Sequence, residues 1–142
     1  MRWLALTCAA IAALAAGTAR ADDTGGVVGS VRVNPLSVEL TLPVDAIKRG
    51  RWFRITAQVS NAGSTPLDNV AVTLVHPAGL QLDRKETQTI ARVPAQGSKP
   101  TKWEACSNAP ASYVILARAE VAAYVTESPA GVVQIVPSSK TC

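Results

Sequence analysis

Aliphatic and polar residues alternate with a period of two in several separate stretches of this chain, the pattern of strands with one buried face. The clearest is residues 51–76. Phe53, Ile55, Ala57 and Val59 share one side of a first strand, and Val70, Val72 and Leu74 share one side of a second. Together they predict an antiparallel pair of neighbouring strands. Residues 61–69 between them are dense in Asn, Gly, Ser, Pro and Asp, which cap turns or take positive φ, and read as the connecting loop. Upstream, Leu36, Val38, Leu40 and Leu42 alternate with Ser37, Glu39 and Thr41 until Pro43, which has no N–H to give a ladder. Residues 44–50 read as a connection.

Downstream, His76-Pro77-Ala78-Gly79 stops the second strand ahead of a short Leu80-Gln81-Leu82 segment and a charged run, residues 83–86, that suits a solvated turn or edge. Residues 87–93 form a less regular strand and 94–100 a loop. Residues 101–106 place Thr101, Trp103 and Ala105 inward and Lys102, Glu104 and Cys106 outward, which sets a disulfide at Cys106 toward the sandwich edge. The longest apolar stretch, 113–125, holds four alanines that would suit a helix. Tyr113, Val114, Ile115, Val121, Tyr124 and Val125 favour a long strand, or two joined by a bend near Ala122-Ala123. Pro129-Ala130-Gly131 turns the chain into a last strand, 132–136. Strands at this spacing, parted by Gly, Pro and Asn loops, predict an all-β fold: an immunoglobulin-like antiparallel β-sandwich of two sheets and about seven strands.

The first residues stand apart from that fold. Arg2, an apolar run through Ala16 and Ala19-Arg20-Ala21 match a secretory leader with an A-x-A cleavage site, so residues 1–21 are expected to be removed. An uncleaved anchor is the competing reading, although the run is shorter than the roughly 18 to 20 residues that span a bilayer. Residues 22–35 then form a flexible leader and 36–142 the sandwich domain. The mature chain contains no further candidate transmembrane helix, and it is expected in the periplasm, at the cell surface or outside the cell.

Export changes the reading of charge and cysteine. The 14 basic residues lose Arg2 and Arg20, so 12 remain against 10 acidic ones, and the surplus no longer argues for nucleic acid. Cys106 and Cys142 are the cysteines left, and in an oxidising compartment they are expected to pair. A redox or metal pair would want CxxC spacing and histidine.

The turn residues carry a resemblance. Ile55-Thr56-Ala57-Gln58-Val59-Ser60-Asn61-Ala62-Gly63, Asn69-Val70-Ala71-Val72-Thr73-Leu74, Pro77-Ala78-Gly79-Leu80 and Val93-Pro94-Ala95-Gln96-Gly97-Ser98 resemble the immunoglobulin-like modules of bacterial surface proteins, notably the cell-adhesion-related domain. The resemblance spans about residues 36–136. It implies extracellular binding, adhesion or spacer roles with no shared catalytic set and no cofactor.

Candidate chemistry is sparse. His76 beside Pro77 reads as a loop residue rather than a base, no G-x-S-x-G elbow accompanies the serines, and the one methionine is Met1. Asp22, Asp23, Asp68, Asn69 and Asp83 could supply oxygens to calcium but form no loop motif, and read as solvated turn residues. The sharpest local feature is Lys48, Arg49, Arg51, Trp52 and Arg54, a basic cluster around an aromatic on the outward face. It suits an anionic polymer, a membrane surface or a sugar stacked on the indole; a charged edge that discourages aggregation is the alternative. The chain therefore reads as an exported, non-enzymatic binding module for a protein or glycan partner at the cell envelope, with edge-strand pairing available as a mechanism. A structural accessory subunit of a larger complex is the runner-up, and a small hydrolase a distant third.

Overall fold

The structure, a computed structural model, describes residues 33–142, of which Asn34–Cys142 form one compact unit. The expected leader 1–21, most of the expected connector 22–35, and Asp22 and Asp23 lie outside the described residues. Ten strands follow in order: β1 Leu36–Thr41, β2 Ile47–Lys48, β3 Phe53–Asn61, β4 Leu67–Val75, β5 Leu80–Leu82, β6 Thr87–Val93, β7 Gly97–Ser107, β8 Ala111–Val121, β9 Tyr124–Glu127 and β10 Gly131–Val136. They make a sandwich of a four-stranded sheet, β1-β3-β7-β5, and a six-stranded sheet, β2-β10-β8-β4-β6 with β9 also on β8. The expected all-β immunoglobulin-like sandwich is the observed fold, with seven strands of six or more residues and three short ones.

Alternation sorts the side chains as expected. Ile55, Ala57 and Val59 of β3, Val70, Val72 and Leu74 of β4, and Ile115, Ala117 and Ala119 of β8 are buried between the sheets. Trp103 of β7 is the largest fully buried side chain, and its indole Nε1 donates to the Lys85 carbonyl at 3.1 Å. Thr101 and Ala105 are buried on the same face as Trp103.

Pairing departs from the expectation at its centre. β3 and β4 are not hydrogen-bonded neighbours: β3 lies between β1 and β7, whereas β4 lies between β6 and β8. They face each other across the core, because two strands with one apolar face each are satisfied equally by pairing edge to edge or by stacking face to face. The loop between them is built to cross. Asn61, 2% exposed, donates through Nδ2 to the carbonyls of Thr65 (2.8 Å) and Val93 (3.4 Å) and accepts the Gly63 N–H at 2.9 Å. Gln96, at φ 53°, donates its backbone N–H to the Gly63 carbonyl and its side-chain Nε2 to the Ala62 carbonyl. The N-x-G and A-Q-G-S residues thus satisfy one another's backbone where the chain passes between sheets, as buried polar groups require.

Two boundaries also differ, and a third agrees. β7 begins at Gly97 and runs through Pro100, in what the sequence presents as a loop. Proline is tolerated there because β5 pairs only with Ala105, Cys106 and Ser107, so the edge that lacks its N–H meets no strand. Residues 47–48 form a short strand parallel to β10, with Ile47 opposite Ile135. The apolar stretch 113–125 is β8 and β9 joined at Ala122, which takes φ 47°, matching the two-strand reading with a bend.

Cys106 keeps its expected outward parity but is fully buried and bonded to Cys142, 36 residues away. It does not lie at a sheet edge. Ala105 pairs with Phe53 on one side and Cys106 with Gln81 on the other, and the bond ties the C-terminal tail to this strand. The Cys142 N–H donates to Asn108 Oδ1 at 2.7 Å.

Candidate functional site

The expected basic cluster begins where β2 ends. The Lys48 carbonyl accepts the Arg51 N–H at 3.1 Å, closing a four-residue turn with Gly50 at its third position and φ 75°. Such a turn needs positive φ there, which glycine adopts without strain. A second constraint acts on the same residue. A Cβ at Gly50 would fall 2.5 Å from the Lys140 carbonyl carbon and 2.6 Å from the Thr141 nitrogen, so the tail runs directly over the turn. The Gly50 N–H meanwhile donates to the Ser107 carbonyl, next to the half-cystine Cys106. Turn, tail and disulfide therefore form one unit.

Between turn and tail lies a groove of about 590 Å³ lined by Lys48, Gly50, Arg51, Trp52, Ser138, Ser139 and Lys140. Trp52 is 45% exposed, one residue ahead of β3. Three cationic side chains, two hydroxyls and the indole thus converge. Lys48 and Arg51 make no ion pair, nor does Lys140, among the described residues. This arrangement can hold an anionic group beside an aromatic plane.

Two of the expected residues are placed elsewhere. Arg54, on the outer face of β3, is committed to Glu104 of β7, Nε to Oε1 at 2.9 Å. Arg49 is half-buried, gives its backbone N–H to the Val136 carbonyl, and has its Nε enclosed with no hydrogen-bond partner. Ser138, Ser139 and Lys140 are missing from the sequence reading, because nothing local links a tail to a turn some ninety residues upstream. The signal was present in Cys142, whose bond to β7 carries that tail back to the turn.

His76, Asp68 and Asp83 are engaged in structure. The ring nitrogens of His76 meet the Pro77 carbonyl at 2.9 Å and Glu86 Oε1 at 3.1 Å, so the ring addresses no serine hydroxyl. Asp68 pairs with Arg92, Oδ1 to Nε at 2.7 Å, which holds its carboxyl below the usual range. Asp83 is opposed by burial, yet the Glu104 N–H (2.8 Å) and the Arg84 guanidinium outweigh that and hold it below its ordinary value of 3.8. Among the described residues no three His, Cys, Asp or Glu side chains cluster as metal ligands, and no helix is long and apolar enough to cross a membrane.

Because the Asp83 carboxyl is depressed in the folded chain, it contributes stability above its ordinary value, and that contribution is lost as pH falls through the folded value. Urea midpoints measured from pH 6 downward should fall off below about pH 4, and Asp83→Asn should flatten that fall. An identical acid profile in the two proteins would show that the Asp83 contacts carry no net energy.

Residues 47–122, just over half of the chain, match the family model of the NPCBM-associated, NEW3 domain of alpha-galactosidase. Among solved structures, the CARDB domain of a Pyrococcus furiosus protein is similar at a TM-score of 0.55 and 14% sequence identity, covering 75% of this chain and 98% of that one. Native Escherichia coli alpha-2-macroglobulin contains a similar fold, at a TM-score of 0.60 and 14% identity over 72% of this chain and 7% of that one. Its crystallised portion from domain MG7 to the C-terminus gives 0.59 at 16% identity, over 74% and 17%. At such identities the likeness is one of fold. No match to a curated protein sequence was found. The expected kinship with cell-adhesion-related modules agrees with both the family and the CARDB structure.

Proposed function

The chain belongs to the NPCBM-associated, NEW3 domain family of alpha-galactosidase, and from that membership and the groove at Trp52 we propose that it is an exported, non-enzymatic module that binds an anionic glycan of the cell envelope. The family is one of accessory modules in larger proteins, which supports a binding role over a catalytic one. A disulfide that closes the tail over the turn supports an oxidising compartment, consistent with removal of residues 1–21 as an export leader.

The observation that carries this reading is Trp52, held 45% exposed at a groove whose other walls bear Lys48, Arg51, Lys140, Ser138 and Ser139. An indole plane stacks on the apolar face of a pyranose ring, the cations meet carboxylate or sulfate substituents, and the hydroxyls meet ring oxygens and hydroxyls. Binding of this kind weakens as salt screens the charges. The probe is a polyuronate such as polygalacturonate, titrated at low and high salt. Trp52→Ala should weaken binding by about tenfold or more with the melting temperature unchanged, and Lys140→Ala should weaken it and flatten the salt dependence. Wild-type protein that ignores the polyuronate and a neutral glycan alike would sink the reading.

A second observation favours a structural role. On the outer face of the six-stranded sheet Val75 lies opposite Leu116 and Val114 opposite Val132, and the three valines are 44–59% exposed. An aliphatic face of this kind suits packing against another subunit, which would show as co-purification at fixed stoichiometry.

A further inference from the structure

The two long sides of the sandwich are closed differently. On one, β1 packs against β9, and Asn34 Nδ2 donates to the Val125 carbonyl. On the other, β6 of the large sheet and β7 of the small sheet run past each other with an open groove between them. One part is a hollow of about 530 Å³ lined by Ile90, Ala91, Arg92, Pro94 and Lys99; its neighbour, about 350 Å³, adds Gln88 and Lys102.

Hydrogen-bond parity shows which edge of this groove is open. The Leu74 N–H donates to the Glu86 carbonyl, so the even-numbered residues of β6 point their backbone groups at β4. Thr87, Thr89 and Ala91 therefore direct theirs outward, to an edge that no strand covers. The facing edge of β7 is already blocked. Pro100 has no N–H, the Lys102 carbonyl accepts Gln88 Nε2 at 3.0 Å, and the Glu104 N–H is taken by Asp83. Among the described residues the long edge strands are β1, which packs against β9, and β6, whose outward edge stands over the open groove.

The side chains around that edge describe its occupant. Lys99 shares the inward parity of Thr101 and Trp103, yet it is exposed because no strand lies over it; Ile90 on the inner side of β6 is only half-buried. These are positions that one more strand would cover. Charge sets that strand's composition. Arg92 is neutralised by Asp68 and Arg84 by Asp83, but Lys99 and Lys102 make no ion pair. From the free β6 edge, the apolar floor of Ile90, Ala91 and Pro94, and the unpaired Lys99 and Lys102, we infer that this groove takes an extended acidic peptide of a protein partner, added as a strand to β6. The side chains on the inward face of the added strand enter the hollow, where carboxylates meet Lys99 and Lys102 and apolar groups rest on Ile90, Ala91 and Pro94. The site is separate from the groove at Trp52, so the two readings stand or fall independently.

The probe is a synthetic peptide long enough to span β6, alternating glutamate with valine, followed by fluorescence anisotropy on the whole mature chain. A lysine–valine peptide of the same length is the control. The acidic peptide should bind, the basic one should not, and the affected amide signals should be those of residues 87–91. Thr89→Pro removes an N–H that serves no bond within the fold and should cost about tenfold or more in affinity. The double variant Lys99→Glu with Lys102→Glu, which leaves the edge intact, should cost a similar factor and reverse the preference toward the basic peptide. Trp52→Ala should leave peptide binding unchanged. Equal binding of the two peptides, no binding of the acidic one, or affinity indifferent to both Thr89→Pro and the lysine reversal would overturn the inference.

Discussion

Replacing Trp103 with alanine should destabilise the fold by about 3–5 kcal/mol, the range for truncating a large aromatic in a packed core. Trp103 is fully buried on the inward face of β7, among residues contributed by both sheets. Its cross-strand neighbour Ile55 in β3 is held by its own ladders and cannot collapse into the space, so a cavity term adds to the lost transfer energy. The Lys85 carbonyl would also lose the indole N–H at 3.1 Å. A loss of this size is a large part of the stability of an ordinary domain, so the alanine variant should unfold at a much lower urea concentration than the wild type. Trp103→Phe separates the parts, since it keeps an aromatic and removes only the donor and some volume; it should remain folded with a smaller loss. Urea unfolding followed by circular dichroism measures both. A loss below about 1 kcal/mol for Trp103→Ala would mean that the two sheets do not close around this residue.

Removing the disulfide should have an effect of similar size and a second consequence at the groove. Cys106 and Cys142 are 36 residues apart, and a loop of that length contributes about 4 kcal/mol by restricting the unfolded chain. The double variant Cys106→Ala with Cys142→Ala should show this as a lowered urea midpoint, and reducing agent should reproduce it in the wild type. The tail that the bond retains carries Ser138, Ser139 and Lys140 over Gly50. Polyuronate binding should therefore fall on reduction under conditions where circular dichroism still reports a folded sandwich, while peptide binding at β6 persists. Reduction that leaves the unfolding midpoint in place would contradict the stability argument; reduction that leaves polyuronate binding in place would remove the tail from the site.

Much of the fold was legible along the chain because strand alternation is local. Successive side chains of an extended backbone point to opposite faces whatever the strand pairs with, so the buried faces of β3, β4, β7 and β8 follow from spacing alone. Turn chemistry was legible for the same reason: Asn61, Gly63 and Gln96 stand where the backbone needs a side-chain partner or an unusual φ. Pairing was not legible. The β3–β4 connection reads equally as a hairpin loop or as a crossing between sheets, and the choice rests on contacts to Val93 and Gln96 some thirty residues on. Pro100 misled for a related reason, since a proline in a strand is permitted only when that edge is free, and edge status belongs to the sheet rather than to the residue.

The candidate site divides along the same line. Lys48, Arg51 and Trp52 are neighbours in sequence and could be grouped on sight, whereas Arg54, one alternation further, is drawn to Glu104 across the sheet. The groove's other wall comes from the tail. The peptide edge at β6 had no sequence signature at all, because an unpaired strand and a paired one alternate identically.

The amino-acid sequence by itself determined the fold class, the inward and outward faces of the strands, and the cysteine pair, since each depends on local geometry or on composition. The tertiary structure alone decided that β3 and β4 stack rather than pair, that the tail joins Trp52 in one groove, and that β6 keeps a free edge. The reason is physical: these are closures between residues distant along the chain, selected by the whole core rather than by any segment's own preference.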